Sequence, residues 1–228
     1  MKTARISPGT LQLTRFGAVN AFLVREDDGF TLIDAMVKGS EKGLAAAAAD
    51  AGAPINRIVI THAHSDHYGS LVALAKLQPE AELIASTRDA RLMNGDKTPE
   101  PGEPEGKLRV PFPDLGVSFD RLVDEGDRIA SLEVVATPGH SPGQIALLDT
   151  RDSGLVVADA YSSLGGLATT AGPYWKFPLP GFVTWHRPSA LESAKKLRAL
   201  DPAWLAVGHG KPIADPASQM DKAIARSS

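Results

Sequence analysis

The stretch ITHAHSDHYGS, residues 60–70, decides which fold and which chemistry we expect of this chain. Three of the six histidines, together with an aspartate, lie within residues 62–67. The stretch follows RIVIT (57–61), a short apolar run that is typical of a buried strand. Leu71 and Leu74 then recur at helical spacing, and the strand pattern AELIAS comes next. This order of strand, loop, helix and strand predicts a βαβ unit.

Composition narrows the class of protein. The 228-residue chain is 43% hydrophobic, enough to bury a substantial core as one large domain or two closely packed halves. Its net charge of −3 does not favour a nucleic-acid partner. With no secretory signal and no apolar run approaching about 20 residues, we expect a cytoplasmic protein that acts on a small molecule and not at a membrane. Assembly as a homodimer is left open.

The rest of the chain alternates strand and helix patterns. Strands are predicted at TLQLTRF, NAFLVRE, FTLIDA, LGVSFDRLV, DRIASLEVVATP, GQIALLD, GLVVAD and AWLAV. Helices are predicted at residues 39–52, with Ser40 as N-cap, and at RPSALESAKKLRAL and DPASQMDKAIAR. Residues 94–107 and 160–185 read as irregular loops. The pattern predicts an α/β fold with two β-sheets packed together and helices outside.

Further metal-ligand types lie where other predicted strands end. His140 and His209 are flanked by glycines just after strands, and Asp34 and Asp159 end two more. In α/β folds the carboxyl ends of strands gather active-site groups. Seven residues then qualify as ligands: His62, His64, Asp66, His67, His140, Asp159 and His209. A catalytic zinc needs three protein ligands, so seven suit a pair of ions about 3.5–4 Å apart, bridged by one aspartate.

Structural explanations compete with this interpretation. The histidine cluster could be a polar turn, although three histidines and an aspartate in six positions favour a metal site. His140 or His209 alone would be better read as a hydrogen-bonded structural histidine. Asp34 and Asp159 alone could be turn formers. His186 begins a predicted helix and is expected to be structural. Because the chain has no cysteine, any site must use nitrogen and oxygen ligands.

THAHSDH resembles the His-x-His-x-Asp-His signature of the metallo-β-lactamase superfamily. TLIDA, PGHSPG, VVADA and VGHG resemble its other motifs in the same order, so the resemblance spans residues 34–209. It implies an αββα sandwich of two mixed sheets flanked by helices, here one domain over residues 1–228. The ligand set it implies is His62, His64 and His140 for one metal, and Asp66, His67 and His209 for the other, with Asp159 bridging. Asp34 would orient a ligand histidine.

Within that superfamily the chain is most similar to the glyoxalase II and lactonase branches. The best-known β-lactamases carry a cysteine where Asp159 stands. Glyoxalase II enzymes carry a helical domain after the last histidine, whereas only a short segment follows His209 here. The acidic balance does not favour the RNA-processing members of the superfamily.

We therefore expect a dinuclear hydrolase of a small carbonyl substrate, a lactone or ester first, in which a metal-bridging hydroxide attacks the carbonyl carbon. Two divalent ions are expected, zinc first, with manganese and iron as alternatives. Asp66 or a tyrosine would assist the leaving group. Tyr161 is the first candidate for that tyrosine, and Tyr68 and Tyr174 are the alternatives. Residues 94–107 and 160–185 would shape the substrate pocket.

Three other functions stay open at this stage. The same site could hydrolyse thioesters or β-lactams. A persulfide dioxygenase with one iron keeps similar residues. A metal-binding module without catalysis is the third alternative, although such a module has no need of a full ligand set.

Overall fold

The computed structural model describes residues 1–227, which form two compact units. The N-terminal unit comprises residues 1–95 and 112–123, and the C-terminal unit comprises residues 96–111 and the chain from 124 onward. Each unit holds one large mixed β-sheet and helices of its own, so the predicted α/β class with two mixed sheets flanked by helices is confirmed. No helix in the described residues is long and apolar enough to cross a membrane. The single domain over 1–228 stays a prediction.

The N-terminal unit is a seven-stranded sheet with the strands in sequence order. Its elements are β1 (Lys2–Arg5), β2 (Thr10–Arg15), β3 (Val19–Glu26), β4 (Gly29–Ile33), α1 (Glu41–Asp50), β5 (Ile55–Ile60), α2 (Ser65–Tyr68), α3 (Leu71–Leu77), β6 (Glu82–Ser86), α4 (Thr87–Met93) and β7 (Arg121–Val123). Strands β1–β4 pair antiparallel, and β4–β7 pair parallel. The predicted βαβ unit is confirmed by the parallel pairing of β5 with β6.

The parallel strands of this sheet bring their carboxyl ends to one edge. All five residues of β4 are buried, as are the last three of β5 and the last four of β6. Such apolar runs are expected of parallel strands that are covered on both faces. Asp34 follows β4, His62 follows β5 and Asp89 follows β6, so the fold collects these three polar side chains at the same sheet edge.

The C-terminal unit has a six-stranded sheet in the order β15-β14-β11-β10-β9-β8. Its elements are β8 (Arg128–Ile129), β9 (Leu132–Ala136), β10 (Ile145–Asp149), β11 (Gly154–Val156), a 3₁₀ turn (Ala158–Ala160), β12 (Tyr161–Ser162), β13 (Ala168–Thr169), α5 (Leu179–Val183), α6 (Arg187–Ala199), β14 (Trp204–Ala206), β15 (Ile213–Ala214) and α7 (Ala217–Ala225). β10 is antiparallel to both β9 and β11, and β11 is parallel to β14. Strands β9, β11 and β14 therefore run the same way, and His140, Asp159 and His209 follow their shared edge.

Several elements differ from the sequence-based prediction: β1, β12, β13, β15 and α5 were not predicted, and the strand predicted at DRIASLEVVATP is the antiparallel pair β8 and β9. The strand predicted at LGVSFDRLV is reduced to β7. The Asn94 side chain accepts a hydrogen bond from the N–H of Val117 at 3.3 Å and donates one to its carbonyl at 3.0 Å, so the backbone of Val117 bonds to a side chain and not to a neighbouring strand. Gly116 adds a left-handed backbone turn at φ 60°. Helix α4 was not predicted; its N-cap Ser86 accepts a hydrogen bond from the N–H of Asp89.

The core of the C-terminal unit gives a stability prediction. Leu197 on α6 is fully buried in a cluster with Leu155, Leu205 and Met220. Leu197→Ala should lower the free energy of unfolding by about 2–5 kcal/mol, because it removes buried apolar surface and leaves a cavity. Leu200→Ala is the matched control: this leucine is 38% exposed, and about 0.5 kcal/mol or less is expected. Urea denaturation measures both, and equal losses would contradict the described core.

Candidate metal centre

The N-terminal unit presents four of the seven predicted ligands on one short loop and helix. His62 and His64 follow β5, and Asp66 and His67 lie on α2. The ring centroid of His62 is 4.7 Å from that of His64 and 4.0 Å from that of His67. His67 Nε2 is 4.0 Å from a carboxylate oxygen of Asp66. All three histidines are buried, whereas the Asp66 side chain is 37% exposed, so this half of the ligand set opens to solvent at Asp66.

The buried carboxylate of Asp34 holds two of these histidines. Its Oδ2 is 2.7 Å from Nδ1 of His67. It also accepts hydrogen bonds from the N–H of Thr61 at 2.8 Å and from the Thr61 hydroxyl. The Thr61 oxygen is in turn 3.1 Å from Nδ1 of His62. Since Nδ1 of each ring faces an acceptor, the neutral tautomer with its proton on Nδ1 is favoured, and Nε2 keeps the lone pair that a metal requires.

Asp89 helps to position His62 and His64, and it was not predicted from the sequence. Its fully buried carboxylate accepts a hydrogen bond at 2.8 Å from the backbone N–H of Ala63, the residue between His62 and His64. This contact fixes the peptide that separates the two histidines. A carboxylate in the first turn of a helix is common for capping reasons, and helix α4 was itself not predicted, so no sequence signal singled out Asp89.

Gly69 lets helix α2, which carries the predicted ligands Asp66 and His67, approach the loop after β4. A Cβ at this position would lie 2.4 Å from the carbonyl oxygen of Ser65 and 2.6 Å from the backbone nitrogen of Lys38. Any other residue would therefore push α2 away from the segment that carries Asp34. The backbone N–H of Ala35 donates to the carbonyl of His67 at 2.7 Å, which ties the same two segments together.

The C-terminal unit presents the other three predicted ligands around one oxygen atom. Oδ2 of Asp159 is 3.5 Å from Nε2 of His140 and 3.1 Å from Nε2 of His209. All three side chains are buried. The parallel pairing of β11 with β14 explains why Asp159 and His209 meet, because each follows the carboxyl end of its strand.

Thr184 orients His140. Its hydroxyl oxygen is 3.1 Å from Nδ1 of His140, and the hydroxyl is within hydrogen-bonding distance of the carbonyls of Thr170 and Pro180. A hydroxyl that donates to a carbonyl accepts from Nδ1–H, which leaves Nε2 of His140 unprotonated on the side of Asp159. Thr184 was not singled out by sequence, because a threonine in an irregular segment carries no motif.

The two predicted pocket loops meet at Trp185 within the C-terminal unit. The backbone N–H of Trp185 donates to the carbonyl of His140 at 3.0 Å, and the Trp185 carbonyl accepts from Lys107 at 3.1 Å. Gly106 lies against the indole ring, where a Cβ would come within 2.1 Å of it. His186, expected to be structural, caps α6: its Nδ1 accepts from the N–H of Ser189.

The position of Tyr161 does not suit the predicted role in leaving-group assistance. Its side chain is fully buried in the apolar core of the C-terminal unit, and its hydroxyl donates to the carbonyl of Ala194 on α6 at 2.8 Å. Burial raises the pKa of this phenol well above its usual range. Of the competing tyrosines, Tyr174 donates to the carbonyl of Gly165, and burial also raises the pKa of Tyr68.

The chain belongs to the metallo-β-lactamase superfamily, whose model matches residues 14–209 and so includes all seven predicted ligands. A Cronobacter sakazakii metallo-β-lactamase with a HARLDQ motif has the same fold, with a TM-score of 0.71 at 21% identity over 100% of this chain and 91% of that one. The protein TTHA1623, solved in a di-iron-bound form, matches with a TM-score of 0.64 at 26% identity, over 91% of this chain and 94% of that one.

Relatives in sequence include probable metallo-hydrolases, hydroxyacylglutathione hydrolases and uncharacterized proteins. YobT of Bacillus subtilis (strain 168), described as uncharacterized, is 40% identical over 95% of this chain and 94% of its own length. YflN of the same organism, a probable metallo-hydrolase, is 29% identical over 84% and 79%. A hydroxyacylglutathione hydrolase of Rhodospirillum rubrum is 30% identical over 68% of this chain and 48% of that enzyme. The comparisons thus support a metallo-hydrolase with His and Asp groups able to bind metal ions.

Removing the carboxylate of Asp34 should weaken metal binding. Asp34→Ala removes the acceptor that orients His67 and the acceptor that holds Thr61, the partner of His62, and a loss of about 10- to 100-fold in metal affinity is expected. Asp120→Ala is the matched control, because Asp120 also accepts a backbone N–H, from Leu83, but touches no histidine. Competition with a chromophoric chelator measures both variants, and an unchanged affinity in Asp34→Ala would contradict the orienting role.

Replacing the Tyr161 hydroxyl separates a structural role from a catalytic one. Tyr161→Phe removes one buried hydrogen bond and should lower the free energy of unfolding by about 1 kcal/mol. Because the hydroxyl lies in the core, kcat on any substrate that the wild type turns over should stay within about twofold of the wild-type value. A fall of about 100-fold, the size expected for loss of a general acid, would restore the sequence-based role.

Proposed function

We propose that this chain is a dinuclear metal-dependent hydrolase that cleaves a small ester or lactone. In this proposal His62, His64 and His140 would hold the first ion. Asp66, His67 and His209 would hold the second, and Asp159 would be a ligand of both. Membership of the metallo-β-lactamase superfamily supports the assignment, since the family model spans residues 14–209, which include every one of these residues.

The observation that carries the proposal is the position of the Asp159 carboxylate. One of its oxygens lies 3.5 Å from Nε2 of His140 and 3.1 Å from Nε2 of His209. Bonds of 2.0–2.1 Å in a tetrahedral geometry put neighbouring ligand atoms about 3.3 Å apart. A carboxylate oxygen at this separation from histidines of two different ion sets is what a bridging ligand requires.

The donor set fits the proposed ions. Neutral imidazoles and carboxylates suit zinc, iron and manganese alike, and the chain offers no thiolate to select among them. We propose zinc first. Iron is the leading alternative, because the 26%-identical protein TTHA1623 was solved in a di-iron-bound form.

When bound, the two ions would supply a water of lowered pKa and stabilise negative charge on the substrate carbonyl oxygen. The chain's own contribution begins with orientation: Asp34 and Thr184 keep Nε2 of their histidine partners unprotonated. We assign proton transfer to Asp66. Its side chain is 37% exposed, whereas that of Asp159 is 4% exposed, so Asp66 is better able to exchange a proton with solvent and pass it to the leaving alcohol.

Thioester hydrolysis is the second candidate. The observation that favours it is the 30% identity to a hydroxyacylglutathione hydrolase over 162 residues, a match that covers 48% of that enzyme. Thioesters and esters share a carbonyl carbon and differ in the leaving group. The same ligand set serves both, and only a substrate comparison distinguishes them.

The setting of the reaction belongs to the proposal as well. We propose a small-molecule substrate encountered in the cytoplasm, with no nucleic-acid or membrane partner. The net charge of −3 supports the absence of a nucleic-acid partner, since proteins that bind nucleic acids neutralise the backbone phosphates with lysine and arginine.

Ligand substitutions test the proposal against a histidine that lies outside the set. His64→Ala and Asp159→Ala should each lower kcat/KM on lactones and esters by more than about 100-fold and reduce the bound metal. His186→Ala is the matched control: it removes the helix cap of α6 but no ligand, so metal content and kcat/KM should be kept. Plasma mass spectrometry and a panel of lactones, esters, thioesters, β-lactams and a persulfide provide the measurements.

The outcomes separate the competing functions. Two metal ions per chain with turnover of a lactone or ester support the proposal, and a thioester as the only substrate selects the second candidate. One iron per chain with oxygen uptake on the persulfide would replace the hydrolase with an oxidoreductase. Bound metal without turnover of any member of the panel would indicate a binding module.

A further inference from the structure

The segment of residues 173–184 in the C-terminal unit exposes large apolar side chains. Trp175 is 79% exposed, Leu179 is 62% exposed and Phe182 is 55% exposed. These three residues lie within eight positions, and α5 carries two of them. Because burying apolar side chains of this size stabilises a protein, three of them exposed together indicate a surface that binds another molecule.

The inner side of this segment is fixed against two of the ligand histidines. The ring centroid of Phe177 lies 5.6 Å from that of His209, and the Thr184 hydroxyl contacts His140. Gly181 allows the close packing that holds the segment together: a Cβ there would lie 2.2 Å from the carbonyl oxygen of Gly172. The exposed apolar side chains are thus carried by a segment anchored at the metal ligands and not by a free loop.

The position of the segment indicates the occupant. A substrate whose carbonyl lies at His140 and His209 has its remaining atoms near the residues that contact these histidines, and residues 173–184 do so through Phe177 and Thr184. The segment carries one cation, Lys176, whose ammonium group lies 5.2 Å from the centre of the Trp175 ring, and no acidic residue. Such a surface favours a hydrocarbon chain over a polar or charged substituent.

We propose that Trp175, Leu179 and Phe182 form an apolar platform that binds the hydrocarbon chain of the substrate, so that the enzyme prefers esters or lactones with a long apolar chain. The inference rests on the proposed hydrolase function and assigns its substrate class. These three residues are specificity determinants, because they contact the part of the substrate that does not react.

A chain-length series tests the platform. With p-nitrophenyl acetate, butyrate, hexanoate and octanoate, kcat/KM should rise about two- to fourfold for each methylene group buried on the platform. The variant Trp175→Ser/Leu179→Ser/Phe182→Ser should lower the ratio of octanoate to acetate kcat/KM at least tenfold, mainly through KM for octanoate. Leu122→Ser, which removes a leucine that is 50% exposed on β7, is the control and should leave the series unchanged.

A binding experiment keeps this inference separate from the hydrolase proposal. Trp185 and Trp204 are only 7% and 8% exposed, so an apolar ligand at the platform should change mainly the fluorescence of Trp175. Titration with 2-decanone, which has no ester bond, should give saturable binding at least tenfold tighter than 2-butanone, and Leu179→Ser/Phe182→Ser should weaken it. Tight binding of 2-decanone without ester hydrolysis would overturn the hydrolase proposal and retain the platform.

Two results would overturn the platform itself. One is a flat chain-length series in the wild type together with equal affinity for both ketones. The other is a triple variant that keeps the chain-length preference and changes the oligomeric state in size-exclusion chromatography, which would make the surface a contact between copies of this chain. Melting temperature and metal content of each variant establish that it is folded and loaded before these comparisons.

Discussion

The N-terminal half of the proposed ligand set depends on the hydrogen bonds of the buried Asp34 carboxylate. A carboxylate that is 1% exposed is tolerated only when hydrogen bonds replace the water it has lost. Thr61 and His67 supply those bonds, and through Thr61 the carboxylate also reaches His62. The hydrogen bonds that offset the cost of burying the Asp34 charge are therefore the same bonds that orient the histidines: His67 donates to Asp34 directly, and Thr61 links Asp34 to His62.

In the C-terminal half of the proposed ligand set, a buried carboxylate also contacts two histidines, but here the carboxylate is that of Asp159. Here Asp159 is itself a proposed ligand, and its Oδ2 lies between two histidines that are delivered by β9 and β14. The parallel direction of β11 and β14 brings Asp159 and His209 to one edge, as the parallel direction of β4, β5 and β6 does in the other unit. In each unit the sheet sets where the ligand types lie, and hydrogen bonds from neighbouring residues set which atoms they present.

Much of the fold around the candidate site was predictable from the sequence, because it depends on local hydrophobic and glycine patterns. The apolar run at residues 57–61 and the helical spacing after Ser70 are sufficient to predict the βαβ unit, and glycines beside His140 and His209 mark turns after strands. Asp89 and Thr184 were not predictable, because they act through contacts with residues 26 and 44 positions away in sequence. Tyr161 shows the opposite failure: it adjoins a motif in sequence, but β12 turns its side chain into the core beneath α6.

We propose that the seven predicted ligands hold two metal ions that share Asp159. Anomalous X-ray diffraction from crystals of the purified protein, collected on both sides of the absorption edge of the metal present, tests it most directly. We expect two peaks about 3.5–4 Å apart, one at His62, His64 and His140, the other at Asp66, His67 and His209, with Asp159 contacting both. A single peak at full occupancy, or two peaks of which neither contacts Asp159, would contradict it.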